Sequence, residues 1–355
     1  MFLTRTGWAE APRIRHQLAN LLAAAGHDVL FFEKPLMPWQ RASPPRVAAP
    51  RIRLAQYREM VHHKLRLAPV LHKINAVYAA RSLRAALAFA GAHDDAVIVN
   101  FNYDHWFVRD VFPRQRILTM INDDFLSTAV FGYSAPLRWA LQRTCKTSDR
   151  VLTVSRPLKE SLAEWCDAEI FRPWADRPYS LAASARARDA LLFWGFINRR
   201  FDVTLVEKLS RDLAASHPGM RILVVGPVEP GAEMALARLA SCGNVEILPA
   251  TPLDSLPLDR VLAGLIPYQL IGAEKTAVDL PNKALQMLAR GLPLVISGMP
   301  NFIDEPFVLR IDERPISEVV EHLTRRFDSL QPGIRGLVER NLEAARLEQF
   351  LRLAA

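Results

Sequence analysis

The chain alternates short apolar runs with longer amphipathic stretches, and the alternation is regular enough to predict its elements. A strand at Phe2–Thr4 is followed by the loop RTGWAEAP and by a helix from about Pro12 to Ala25. Ile14, Leu18, Leu21 and Leu22 share one face of that helix, Gly26 closes it, and a second strand runs from Asp28 to Glu33. Strand, helix and strand with short connections imply a parallel pair. Further strands are predicted at Ala96–Asn100, Arg116–Ile121 and Arg150–Val154, each an apolar run of the kind buried on both faces of a parallel sheet. Ser155 sits where a helix N-cap is expected.

The rhythm breaks at residues 171–188, which are rich in Pro, Ala and Arg and show no period, and then resumes. A strand at Ala190–Trp194, a helix near Asp202–Ser216 and strands at Arg221–Val225 and Asn244–Leu248 open a second α/β region. A strand through Leu265 and Ile266 then leads to a polar loop holding Gly272, Glu274, Lys275, Thr276 and Asp279. A helix follows from Pro281 to Gly291, and a strand from Pro293 to Ile296. The predicted organisation is an N-terminal α/β domain over 1–170, a linker over 171–188, a C-terminal α/β domain over 189–333, and a last helix over 334–355.

Composition narrows the picture. At 355 residues, half of them hydrophobic, the chain can build two cores. Three scattered cysteines (Cys145, Cys166, Cys242) suggest neither a disulfide framework nor a metal knuckle. The N-terminus lacks the apolar core of a signal peptide, and no apolar run reaches the ~18 residues of a spanning helix. A cytoplasmic protein is expected, either soluble or peripheral on the inner face of the cell membrane. The net charge of +8 is concentrated: residues 41–90 hold ten Lys/Arg and a single acid, Glu59. Apolar residues at roughly helical spacing in that segment predict a basic amphipathic helix pair, broken near Pro69, that suits an anionic membrane surface or packs on its own domain. No nucleic-acid motif accompanies the charge, so nucleic acid is not an expected partner.

The polar loop feeding the helix at Pro281 is a ready anion site, because the first N–H groups of a helix are unpaired and its dipole favours negative charge. Lys283 adds a full charge there. Pro281, Lys283, Gln286, Ala289, Gly291, Pro293, Leu294 and Val295 resemble the pattern P-x-K-x-x-E-x-x-A-x-G-x-P-V-V of GT-B glycosyltransferases, with Gln286 at the carboxylate position. The Gln variant also resembles the xanthan-type glucuronosyltransferases. His16, Gln17, Leu18, Ala19, Leu22, Ala23, Gly26, His27 and Val29 are similar to the start of the GT-B N-terminal domain, and Val151–Leu158 to the strand that closes it.

The resemblance implies two Rossmann-like α/β domains facing across a cleft, with the last helix packing back on the first domain. It implies transfer of a sugar from a nucleoside diphosphate, with UDP as the guess, to a glycan or lipid-linked acceptor in bacterial polysaccharide synthesis. The nucleotide-sugar contacts it implies are Gly195, Arg199, Arg200, Gly226, Tyr268, Thr276, Asn282, Lys283 and Gln286. Asp123 and Asp124, at the carboxyl end of a strand, are the candidate catalytic bases, with Asp123 favoured by the resemblance; His105 and His16 are alternatives. Val278 stands where a retaining enzyme of this fold would carry Glu, which points to inversion. The sequence N-D-D is not a D-x-D metal motif, so neither a metal nor a cofactor is expected beyond the sugar nucleotide. A sugar-nucleotide epimerase of the same fold and a non-catalytic scaffold remain alternatives.

Overall fold

The computed structural model describes residues 1–10, 13–90, 95–126, 134–181, 187–269 and 279–355. They form two compact units: Met1–Arg172 together with Arg346–Ala355, and Pro173–Ala345. Each is a mixed α/β body built on one sheet in which parallel pairing dominates.

In the first unit the strands are β1 (Phe2–Leu3), β2 (Val29–Phe32), β3 (Arg46–Ala49), β4 (Ile52–Ala55), β5 (Ile98–Asn100), β6 (Ile117–Ile121), β7 (Arg150–Thr153) and β8 (Ala168–Ile170). They lie in the order β3-β4-β2-β1-β5-β6-β7-β8. All neighbours pair in parallel except β3 and β4. The four central strands β2, β1, β5 and β6 are buried along their whole length, as a sheet covered on both faces requires. The helices are α1 (Ile14–Ala24), α2 (Pro69–Ala90), α3 (Val108–Val111), α4 (Ser134–Thr147) and α5 (Arg156–Leu162). Ser155 caps α5, accepting the Leu158 N–H at 3.3 Å.

The basic segment departs from expectation. Its first part is the antiparallel pair β3–β4, not helix, and the stretch before Pro69 is a short 3-10 turn over His63–Leu65. One helix, α2, takes the place of the predicted pair. It buries His72, Asn75, Ala76, Ala79, Ala80 and Leu83, and leaves Val70, Ile74 and Val77 about half exposed beside Lys73 and Arg81. The helix therefore turns mainly small or polar residues and Leu83 inward and keeps Val70, Ile74 and Val77 outside.

The second unit has β9 (Ala190–Trp194), β10 (Arg221–Val225), β11 (Val245–Leu248), β12 (Val261–Pro267), β13 (Leu294–Ser297) and β14 (Val308–Arg310). All are parallel, in the order β11-β10-β9-β12-β13-β14. Around them lie α6 (Val203–Ser216), α7 (Glu233–Ala240), α8 (Asn282–Ala289) and α9 (Ile316–Glu339). Asp202 caps α6 through the Leu205 N–H at 2.9 Å. Gly264 on β12 lets α8 approach closely: a Cβ there would lie 2.5 Å from the Met287 sulfur. The predicted C-terminal helix is two helices. α9 runs through Pro332 to Glu339, and α10 (Glu343–Ala354) follows. The end of α10 belongs to the first unit, where Gln349 donates to the Ile170 carbonyl at 2.8 Å and Phe350 meets Phe171 edge-on. Residues 171–188, expected as an irregular linker, begin with the fully buried side chains Phe171, Trp174 and Ala175. No helix among the described residues is long and apolar enough to cross a membrane.

Candidate functional site

In the second unit the carboxyl ends of β9, β10 and β12 and the start of α8 surround a cavity of about 580 Å³. Its lining includes Trp194, Gly195, Asn198, Gly226, Tyr268 and Lys283. Gly195 and Gly226 occupy successive strand ends, at φ +146° and +150°. A Cβ on Gly226 would sit 2.0 Å from the Gly195 carbonyl oxygen, and one on Gly195 would sit 3.0 Å from the Lys283 Nζ. Both positions exclude a side chain, so backbone and lysine meet at close range.

Pro281 is the N-cap of α8, one residue before the position the sequence pattern gave it, and Asn282 is the first helical residue. The Ala284 and Leu285 N–H groups return to the Pro281 carbonyl, while the N–H groups of Asn282 and Lys283 make no hydrogen bond among the described residues. The Lys283 ammonium has no carboxylate partner among them either. It rests 4.6 Å from the ring centroids of both Phe193 and Tyr268. Two aromatic faces stabilise a cation by roughly 0.5–2 kcal/mol each without neutralising it. The charge thus stays available to an anion in the cavity.

Of the residues expected here, Gly195, Gly226, Tyr268, Asn282 and Lys283 come together on the cavity. Arg199 and Arg200 do not line it; their loop contributes Phe196 and Asn198 instead. Asn198 also accepts the Arg200 N–H at 3.0 Å. Thr276 lies outside the described residues. Gln286 sits one turn inside α8 and is 6% exposed. Its amide nitrogen donates to the Asp176 carboxylate at 2.5 and 2.6 Å. Arg290 grips the same carboxylate with two bonds of 3.0 Å and reaches Asp254 at 2.7 Å. Sequence reasoning missed Asp176 and Asp254, which are far from Gln286 along the chain, and also the wall formed by Ala250, Thr251 and Pro252. Only the position of that wall after β11, at the carboxyl edge of the sheet, could have flagged it.

In the first unit Asp123 and Asp124 follow β6. Asp123 is exposed. Asp124 accepts the Leu126 N–H at 3.2 Å, in a local turn. The two alternative bases are structural. His16 accepts the Arg13 N–H at Nδ1 (3.1 Å) and donates from Nε2 to the Gly7 carbonyl (3.2 Å). Burial keeps its pKa below the ordinary value. His105 is fully buried, donating from Nε2 to Glu59 at 2.9 Å and accepting from Asn102 at Nδ1 at 2.9 Å; burial lowers its pKa too.

His105 belongs to a buried ionic cluster. Arg66 is 1% exposed and bonds both Glu59 and Asp104, while Arg5 bonds the same two carboxylates at 3.0 and 2.8 Å. Burial alone would push the Glu59 carboxyl up. The Arg5 charge, the His105 hydrogen bond and the Arg66 charge override it and hold the pKa at about 2. Asp104 is held well below the carboxylate range by Arg5 and Arg66 in the same way, against burial. Among the described residues no three His, Cys, Asp or Glu side chains converge as a metal site.

No protein-family model matches the chain, and no curated protein sequence matches it. Solved structures do. Sucrose-phosphate synthase from Thermosynechococcus elongatus is 16% identical, with 96% of this chain and 92% of that one aligned and a TM-score of 0.66. Anabaena HepE, in complex with UDP and glucose, is 11% identical over 99% and 98% of the two chains, with a TM-score of 0.64. The lipopolysaccharide outer core galactosyltransferase WaaB is 14% identical over 84% and 83%, with a TM-score of 0.54. These likenesses show the fold, two Rossmann-like domains of the GT-B type.

The buried cluster generates a prediction for stability. Because the folded-state pKa values of Glu59 and Asp104 are depressed, their contribution is complete above about pH 4.5 and is lost progressively as the pH falls below it, Glu59's toward pH 2 and Asp104's at still lower pH. Acid titration followed by tryptophan fluorescence should show a loss of stability in that window. Glu59→Gln should cost about 3–5 kcal/mol at neutral pH and flatten the titration.

Proposed function

We propose that this chain of GT-B fold is a glycosyltransferase that moves a sugar from a nucleoside diphosphate, UDP by preference, to a glycan or lipid-linked acceptor in polysaccharide synthesis. One observation carries the reading. At the mouth of α8 an ammonium group and two N–H groups, none with a counter-ion or hydrogen-bond partner among the described residues, face a cavity with an aromatic and apolar wall. That is the complement of a diphosphate attached to a flat base. HepE, of the same fold at this level of likeness, was solved with UDP and glucose bound.

In this reading the diphosphate lies against Lys283 and the N–H groups of Asn282 and Lys283, and the base takes the side of Trp194 and Thr251–Pro252. Gln286, held by Asp176, offers its amide oxygen to the ribose. Asp123 takes the proton of the acceptor hydroxyl. That oxygen attacks the anomeric carbon, the bond from carbon to the diphosphate oxygen breaks, and the electron pair leaves with the diphosphate. Lys283 stabilises the charge that develops there, which is the term that most lowers such a barrier. Asp124 is engaged with the Leu126 N–H and serves the turn. A single displacement with one base inverts the anomeric centre. No metal is invoked, since the lysine and helix mouth supply the positive potential.

The acceptor end of the reading involves a membrane. On α2, Val70, Ile74 and Val77 are exposed at 57%, 46% and 54%, beside Leu65 at 63%, with Lys64, Lys73 and Arg81 around them. Exposed apolar residues at a helical period, ringed by lysine and arginine, suit the headgroup region of an anionic bilayer at the inner face of the cell membrane. Each cation there contributes about 1 kcal/mol.

Three outcomes are expected. Lys283→Ala should weaken UDP binding by about ten- to a hundredfold in calorimetry. If UDP affinity does not change, the donor site is misplaced. Asp123→Asn should retain UDP affinity and lose about a hundredfold or more in turnover, measured by label transfer into a lipid extract. Turnover that survives would remove Asp123 as base, and UDP binding with no turnover in the unaltered chain would indicate a scaffold. Val70→Ser/Ile74→Ser/Val77→Ser should abolish co-sedimentation with phosphatidylglycerol vesicles while leaving UDP binding intact. Equal sedimentation of both forms refutes the membrane face.

A further inference from the structure

The first unit contains a second cation without a counter-ion among the described residues, and it is more deeply buried than Lys283. Arg15 lies in the first turn of α1, 6% exposed. Its buried Nε has no hydrogen-bond partner, and among the described residues its guanidinium makes no ion pair. Its one contact of note is the ring of Phe101, whose centroid is 5.6 Å from the guanidinium carbon. Phe101 directly follows β5, so the guanidinium sits over the carboxyl edge of the sheet. A long side chain in the first turn of a helix leans back over the helix mouth. The backbone N–H groups of Ile14 and Arg15 at that mouth are also unpaired among the described residues. At the neighbouring strand end, just past β6, the buried Asn122 Oδ1 lacks a donor. Glu10 and Asp123 are the acidic groups felt by Arg15, but neither bonds it, and Glu10 accepts the Gly7 N–H instead.

The arrangement contrasts with Arg5 and Arg66 in the same unit, each of which is matched to two carboxylates. A buried guanidinium nitrogen without an acceptor is costly, and an anion from outside the chain offsets that cost. Burial, with Arg13 adding to it, pulls the Arg15 pKa down to about 10, still far above neutrality, so the group remains charged. A guanidinium and two helix-mouth N–H groups match the several oxygens of a phosphoryl group. The acceptor-starved and donor-starved groups complement each other: an anion for Arg15 and a hydroxyl for Asn122 Oδ1.

We propose that Arg15, with the N–H groups at the mouth of α1, is a binding site for a phosphoryl group of the acceptor, whose hydroxyls reach Asn122 and Asp123. The acceptor is then a phosphorylated or diphosphate-linked saccharide rather than a neutral one. This rests on the transferase reading for the word acceptor, but the anion site itself does not.

The test uses the full chain, with inorganic pyrophosphate as probe in calorimetry. The unaltered chain should bind it at two sites, one abolished by Lys283→Ala and the other by Arg15→Met. Arg15→Met should leave UDP affinity within twofold and weaken the second pyrophosphate site by about ten- to a hundredfold. Arg15→Lys should retain part of that site. Arg15→Met should also raise the melting temperature of the ligand-free protein by about 2–4 °C, because it removes an uncompensated charge. A fall in melting temperature, or an unchanged pyrophosphate isotherm, overturns the proposal. A loss of UDP affinity in Arg15→Met also overturns it, by assigning Arg15 to the donor. Failure of the unaltered chain to bind UDP would instead sink the transferase reading and leave the Arg15 site standing. A short prenyl diphosphate binding more tightly than pyrophosphate identifies a lipid-linked source; equal binding identifies a soluble sugar phosphate.

Discussion

The second unit is organised around one constraint: the ammonium of Lys283 sits close to backbone, with no carboxylate partner among the described residues. Several features follow from it. Gly195 and Gly226 lack side chains because a Cβ at either would collide with the lysine or with the adjoining carbonyl. Phe193 and Tyr268 present ring faces, which hold a cation in place without neutralising it. Gly264 allows α8 to press onto β12, and so fixes the helix mouth relative to the strand ends. Replacing any ring by a carboxylate would pair the lysine internally and remove the potential that the cavity depends on.

Charge is handled in two ways within this chain, and the difference separates architecture from chemistry. Arg66, Arg5 and Arg290 are each bonded to two carboxylates, so their fields are largely cancelled and they act as ties between distant segments. Arg290 links the end of α8 to Asp176 and to Asp254, next to the cavity wall at Pro252. It thereby also orients Gln286. Lys283 and Arg15 have no such partners among the described residues. A folded chain can carry a few uncompensated charges at the expense of stability, and these are the positions where ligand anions can repay the cost.

The sequence made much of this legible. The strands at Ala190–Trp194 and Arg221–Val225 have the bounds that the apolar runs predict. Five of the expected donor-site residues converge on one cavity, because local signals placed them at strand ends and at a helix start, where topology brings them together. What was not legible depends on contacts between remote parts of the chain. β3 and β4 were hidden because the density of arginine in their segment overshadowed a weak strand pattern. Arg66 looked like a surface cation, yet its partner Asp104 lies 38 residues away and draws it inside. Gln286 read as a ligand group in its own right, whereas Asp176, contributed from the segment before β9, fixes its amide. Arg199 and Arg200 invited a phosphate role by charge alone, but the loop turns Phe196 and Asn198 to the cavity.

The basic segment shows most clearly why net charge is a poor guide to a surface. Arg46 pairs with Glu33, Arg51 with Asp28 and Arg66 with Glu59 and Asp104, while Arg53, Arg58 and Arg84 donate to backbone carbonyls. Most of the arginines are thus committed to the fold of their own unit. The charge left at the surface, Lys64, Lys73 and Arg81 among it, lies beside the exposed Leu65, Val70, Ile74 and Val77. The exposed apolar side chains are what distinguish this face from an ordinary solvated helix. Burying them in water-free surroundings favours association at roughly 25 cal/mol per Å², and the few uncommitted cations then select an anionic surface over a neutral one. In the proposed membrane contact, apolar burial dominates the affinity for a bilayer and charge sets the choice of leaflet.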